Sequence, residues 1–212
     1  MRDGRTGSQP VTMVLGSGFD DMSNQRPLEE DERRGLLIPT ILTRHDLDHF
    51  EQANIVDARL WYQRNHPSSS LLLSSRGVRR VHRRMFSEVW DWAGTFRLTE
   101  KNLGVDPVQI ATDLEILLEG VRHWMENETF SPDELAVRFK HRLVSIHCFA
   151  NGNGRHARLM ADLLVHFTLA QPMFSWGGDV SGASPDSRSR YITALQRADR
   201  GDILPLLKFA RS

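Results

Sequence analysis

The 212-residue chain has one cysteine, Cys148, two tyrosines and no net charge, with 27 Lys+Arg against 27 Asp+Glu. Each shortage excludes something. A lone cysteine cannot build an intrachain disulfide framework or a multi-cysteine zinc site, and it fits a reducing, cytoplasmic setting. With zero formal charge no overall field attracts nucleic acid or an anionic membrane, so neither is expected as a partner. Affinity for an anion must then come from a local site. No apolar run approaches the roughly 18 residues that a membrane span needs. The N-terminus lacks the charged, apolar and small-residue order of a signal peptide. What is present, 40% hydrophobic and 25% charged residues, describes an ordinary globular domain with extensions.

Residues 1–34 are rich in Gly, Asp, Arg and Ser without a sustained period, and read as a flexible N-terminal arm to a domain spanning 35–212. "PSSSLLLSSRG", Pro67 to Gly77, interrupts two helical stretches. The first, "LDHFEQANIVDARLWYQR", has Phe50, Ile55, Ala58 and Trp61 as its expected apolar side. In "VRRVHRRMFSEVW", Val78, Val81, Met85 and Val89 fall within one arc at helical spacing, with Arg76, Arg79, Arg80, Arg83 and Arg84 on the other. "PVQIATDLEILLEGVRHWM" starts a helix with Pro107 near its first turn. "SPDE" starts another, with Ser131 as N-cap and Glu134 closing a capping box, and Leu135, Phe139, Leu143 and Ile146 as its buried stripe. A helix over about Gly154 to Ala170 buries Leu159, Met160, Leu163, Leu164 and Phe167. The "SPDS" at Ser184 opens a last one lined by Tyr191, Leu195 and Ala198. Strands fit only "GTFRLTEKNLGV", as a short hairpin. The fold class is all-α with one small β element.

Two buried helices therefore meet at "HCFANGNGRHAR", His147 to Arg158. Asn-Gly and Gly-Asn mark a turn. The first N–H groups of the following helix have no partners inside it, and the helix dipole adds positive bias there. Such a terminus is a ready anion site. Gly152 and Gly154 let a phosphate approach the backbone. Arg155 and Arg158, three apart, share a helix face and carry guanidinium forks suited to phosphate oxygens. His147, at the end of the preceding helix, can accept a hydroxyl proton near neutral pH. Asn153 can offer an amide donor to a phosphoryl oxygen, and Asn151 a carbonyl oxygen to a divalent cation. Phosphoryl or nucleotidyl transfer is the chemistry these groups allow.

This stretch resembles the Fic motif, His-Pro-Phe-x-acidic-Gly-Asn-Gly-Arg-x-x-Arg, at His147, Phe149, Gly152, Asn153, Gly154, Arg155 and Arg158. With "HRRMFSEVWDWAGTFR", "YITALQRADRGDILPLLKF" and "RRGLLIPTILTRHDLDHFEQANI", the chain is most similar to the Fic subgroup called mobile mystery protein B. The resemblance implies an all-α Fic-type helical domain with one β-hairpin flap, near Leu98 to Val105, that holds a target segment. It implies a protein adenylyltransferase: AMP passes from ATP to a Ser, Thr or Tyr hydroxyl of a target protein, with Mg²⁺ and a histidine base. Carried over, His147 is the base and Phe149 anchors the loop. Gly152, Asn153 and Gly154 cradle phosphates, with Arg155 and Arg158 on the outer ones. Asn151 stands where the motif's acidic residue binds Mg²⁺, and Cys148 replaces a proline. Toxin-like use, with an antitoxin or regulator as partner, follows from the subgroup. Fic proteins are often restrained by a glutamate that pairs with the second motif arginine. Glu51 is the inhibitory candidate here, although Leu47 and Gln52 break that motif.

Rival readings exist for several of these residues. His141, His147, His156 and His166 match no zinc spacing, and Cys148 reads as an apolar filler. The arginine face from Arg76 to Arg84 is a solvated surface, paired with nearby Asp and Glu, or a local anion-binding patch. A degenerate site acting as a nucleotide-binding or nucleic-acid-binding regulatory module is the alternative to the enzyme.

Overall fold

The computed structural model describes residues 33–178 and 185–212. The expected arm therefore lies outside the described residues except for Arg33 and Arg34, and so does the Ser184 cap. In chain order the helices are α1 (Arg44–Asn65), α2 (Ser69–Leu72), α3 (Ser75–Phe86), a 3₁₀ turn (Pro107–Gln109), α4 (Ile110–Glu126), α5 (Pro132–Ile146), α6 (Asn153–Phe167), α7 (Pro185–Asp199) and α8 (Leu204–Ala210). The α5–α6 hairpin is the central pair. α4 packs against α5, and α3, backed by α1, packs against α6. The α7–α8 pair closes the other side on a second apolar cluster.

The stripes of α3 and α5 are buried as their periods require. Val78, Val81, Met85 and Val89 are enclosed, and so are Leu135, Phe139, Leu143 and Ile146. Each such side chain contributes about 1.5–3 kcal/mol relative to exposure. Ser131 caps α5 by accepting from the Glu134 N–H, but the Glu134 carboxylate turns to Arg138 and leaves the box half closed. The serine-rich interruption is ordered by the same chemistry: Ser68 caps α2 and Ser74 caps α3.

One expectation holds only in part and another fails. Of the four residues expected on the buried side of α1, Ala58 is buried, Ile55 and Trp61 are half-buried against the core and Phe50 is exposed, while Leu47, Glu51 and Tyr62 complete that side. On that side the Glu51 carboxylate finds a donor in Trp90 and a charge in Arg155. The flap hairpin is also absent among the described residues. Its only strand-like pairing there is the bridge between Phe96 and Phe149, with Arg97 N–H donating to Cys148 O and Val105 N–H to Ile146 O. The segment bonds across to the α5–α6 connection instead of to itself. Leu98 is 88% exposed, so no buried face fixes a hairpin register.

Candidate active site

α5 ends at His147, whose backbone is left-handed (φ 57°, ψ 58°) and whose N–H caps Leu143 O. The chain then turns inward, and Phe149 is fully buried, stacked on His82 at 3.7 Å. Asn153 holds the turn closed: its Oδ1 accepts the Phe149 N–H at 2.9 Å, and its Nδ2 donates to Phe149 O at 2.8 Å. At 4% exposure its amide oxygen and one amide N–H are engaged inside the loop, a closing role that the sequence did not suggest. Asn151 Oδ1 accepts the Gly152 N–H at 2.7 Å. Gly152 sits at φ 76°, where an added Cβ would lie 2.5 Å from Phe86 Cζ. Gly154 differs, since nothing lies within 4 Å of a Cβ there. α6 starts without a side-chain cap, so its first-turn N–H groups keep no intrahelical partner.

His82 ties this loop to the stem of the flap. The Gly94 N–H donates to its Nδ1 at 3.0 Å, so the ring proton sits on Nε2 and is donated to Asn151 O at 3.1 Å. Burial, then the neighbouring His156, hold its pKa well below the usual value, and the ring stays neutral. Arg97 ties the flap segment to His147. Its guanidinium donates to His147 O at 2.7 Å, to Thr99 O at 2.9 Å and to Val105 O. Gly104, at φ 102°, presses close, with a Cβ there only 2.5 Å from that of His147. The His147 pKa is pushed down to about 4, by burial first and then by Arg97 and Lys101. Its Nδ1 is buried without a hydrogen-bond partner. A neutral imidazole at pH 7 is ready to accept a proton.

The two motif arginines leave their common face in different directions. Arg155 Nη1 pairs with Glu51 Oε2 at 2.6 Å, over the Phe86 ring. Glu51 is fully buried, and its Oε1 accepts from Trp90 Nε1 at 2.6 Å. The glutamate thus meets the first motif arginine, not the second as the resemblance implied. Arg158 lies over Tyr191 of α7 at 5.7 Å. Tyr191 also accepts from buried Lys140 Nζ at 2.5 Å. Burial raises the phenol's pKa, but Lys140 and Arg158 more than offset it and the net shift is downward. Cys148 is buried, and burial pushes its thiol up to about 12, which makes it inert filler. His141 pairs with Asp199, and among the described residues no group of three His, Cys, Asp or Glu could hold a metal ion.

An uncapped helix start, an open glycine and a neutral histidine meet on one loop, with the two motif arginines held beside it by Glu51 and Tyr191, and residues 72–165 match the Fic/DOC family. That stretch, under half of the chain, is similar to Fic/DOC family domains. It is 29% identical over 143 residues to the protein adenylyltransferase Fic of Drosophila grimshawi, across 66% of this chain and 28% of that one. The Aedes aegypti protein of the same name is 28% identical over 141 residues, 65% and 27% of the two chains. The chain thus spans just over a quarter of the length of these curated relatives. Among solved structures, Fic-1 of C. elegans superposes with a TM-score of 0.59 at 23% identity, over 84% of this chain and 50% of that one. The BepC protein of Bartonella tribocorum, solved with bound AMPPNP, superposes at 0.62 and 18% identity, over 84% and 95%. These likenesses show an all-α Fic-type fold.

Sequence reasoning missed Arg97, Trp90, Tyr191 and His82 as site builders. A buried arginine paired only to carbonyls leaves no charge pattern to find. Trp90 and Tyr191 act through partners distant in sequence, Glu51 and Lys140, which no local spacing reveals.

Proposed function

We propose that this Fic domain is a protein adenylyltransferase that moves AMP from ATP to a Ser, Thr or Tyr hydroxyl of a target protein. The observation that carries this reading is Gly154. No intramolecular contact requires a glycine there, so the space it leaves suits a ligand passing the helix start. The unpartnered first-turn N–H groups of α6 receive phosphate oxygens, and Arg158 and Arg155 close on the outer ones. Binding outer phosphates requires Arg155 to loosen from Glu51, which makes that pair a restraint on the site.

The target hydroxyl attacks the α-phosphorus and gives its proton to His147, and pyrophosphate leaves. Arriving phosphate charge opposes that of Arg97 and Lys101 and raises the base strength of the imidazole when it is needed. Mg²⁺ comes with the nucleotide. Asn151 Oδ1 is neutral and already takes one N–H, so the chain lends an ion only that oxygen's second lone pair. The ion would neutralise phosphate charge. Membership of the mobile mystery protein B subgroup, and an antitoxin or regulator as partner, belong to this same proposal. Among the described residues no helix is long and apolar enough to cross a membrane.

The test is transfer of label from α-labelled ATP to proteins of a lysate. His147→Ala should cut transfer by about 10²–10⁴-fold, with nucleotide affinity by calorimetry nearly unchanged. Equal transfer by the variant would refute the assignment. Nucleotide binding without any turnover in the wild type would leave a regulatory module instead.

A further inference from the structure

On the face of α3 turned away from the Fic motif, Arg76, Arg79, Arg80, Arg83 and Arg84 line a groove of about 570 Å³ against α1. The expected pairing with acids does not occur. No carboxylate contacts any of these arginines among the described residues. Arg79 and Arg83 donate to the Gly94 and Ala93 carbonyls, while Arg80 and Arg84 lie over the Trp61 ring at 5.3 and 5.1 Å. Like charges four apart on a helix repel, and here three such pairs stand along α3: Arg76 with Arg80, Arg79 with Arg83, and Arg80 with Arg84. A second observation lies at the groove wall. Tyr62 is 1% exposed, and its buried hydroxyl has no hydrogen-bond partner. A buried polar group left unmade is costly, and a ligand oxygen would satisfy it.

We propose that this groove is a second anion site, separate from the Fic motif, that takes a linear phosphoanhydride chain, free or as the tail of a nucleotide. Arginine rather than lysine throughout suits phosphate oxygens. From Arg76 to Arg84 the helix rises about 12 Å, which matches a few phosphates and no more. The groove's volume is that of a small-ligand pocket. A nucleic-acid strand would need the positive track to continue. It stops instead at the uncharged "PSSSLLLSS" on one side and at exposed Glu88 and Asp91 on the other. Bound phosphate relieves the repulsion among the guanidiniums and gives the Tyr62 hydroxyl an acceptor.

The experiment is calorimetric titration of the full chain with sodium tripolyphosphate, on an Arg155→Ala/Arg158→Ala background that weakens the motif site. One site should remain, and tripolyphosphate should raise the melting temperature of this protein. Adding Arg80→Ala/Arg84→Ala should weaken binding by at least about tenfold and abolish the thermal shift. These side chains are exposed and the fold should hold. Tyr62→Phe should weaken binding about threefold and keep the stoichiometry. ATP binding more tightly than tripolyphosphate identifies a nucleotide tail, and weaker binding identifies the free chain; both support the site. Affinity unchanged by Arg80→Ala/Arg84→Ala overturns it. So does binding of single-stranded oligonucleotides that tightens steadily with length and exceeds that of tripolyphosphate.

Discussion

Replacing Asn153 by alanine separates two roles that the sequence alone cannot distinguish. In the fold its amide makes both a donor and an acceptor bond to the backbone of Phe149, in a fully enclosed place. Deleting it removes two hydrogen bonds of about 1 kcal/mol each and strands a buried N–H and C=O, for a total of about 2–4 kcal/mol. For a chain of this size, 1 kcal/mol moves the melting temperature by about 2–4 °C, so Asn153→Ala should melt about 5–15 °C lower without any nucleotide. Asn153→Asp keeps the acceptor but sets a carboxylate against Phe149 O. A carboxyl that must be protonated to donate there has a raised pKa in the fold. The deficit of this variant should therefore shrink as the pH falls toward its carboxyl range. Circular dichroism melts at pH 7 and pH 5, with ADP affinity by calorimetry beside them, decide the matter. If Asn153→Ala melts within about 1 °C of the wild type yet loses nucleotide affinity, its amide serves phosphate and the loop-closing argument is wrong.

Two further expectations concern titration and glycine. The His147 and His156 pKa values are both pushed down to about 4 by burial, from 6.5. The unfolded chain then takes up protons that the fold refuses as the pH drops from 6.5 toward 4, so stability should fall through that window. His156 alone accounts for roughly 3 kcal/mol, and His156→Gln should flatten the slope in urea melts at pH 7 and 4.5; an unaltered slope would remove histidine from the explanation. Gly152→Ala should destabilise strongly, against Phe86 and at positive φ. Gly154→Ala should stabilise by about 0.4–1 kcal/mol and still lose nucleotide binding, and a destabilised Gly154→Ala would show that an internal contact dictates that glycine.

What periodicity could reveal, it did. The stripes of α3 and α5 and the Ser131 cap are local patterns, and local physics decides them. Part of the buried face of α1 escaped because Glu51 counts as polar in any such reading. It is buried only because Trp90 and Arg155, distant in sequence, supply a donor and a charge. Arg155 and Arg158 were rightly set on one helix face, but long side chains go where tertiary partners draw them. The flap failed as a hairpin for a similar reason. Its backbone groups found better partners in the α5–α6 connection than in each other.

The grips on Arg155 and Arg158 come from opposite ends of the chain. Glu51 and Trp90 steer the first, and Tyr191 with Lys140 steers the second. Both Glu51 and Tyr191 fall outside residues 72–165. The signature is therefore not a self-contained device. A fragment cut to that stretch would keep every motif residue and lose the settings of its two cations. Conversely, drift in the flanking helices can retune the hold on a ligand while the signature stays letter-perfect, so that two domains alike in motif need not be alike in appetite.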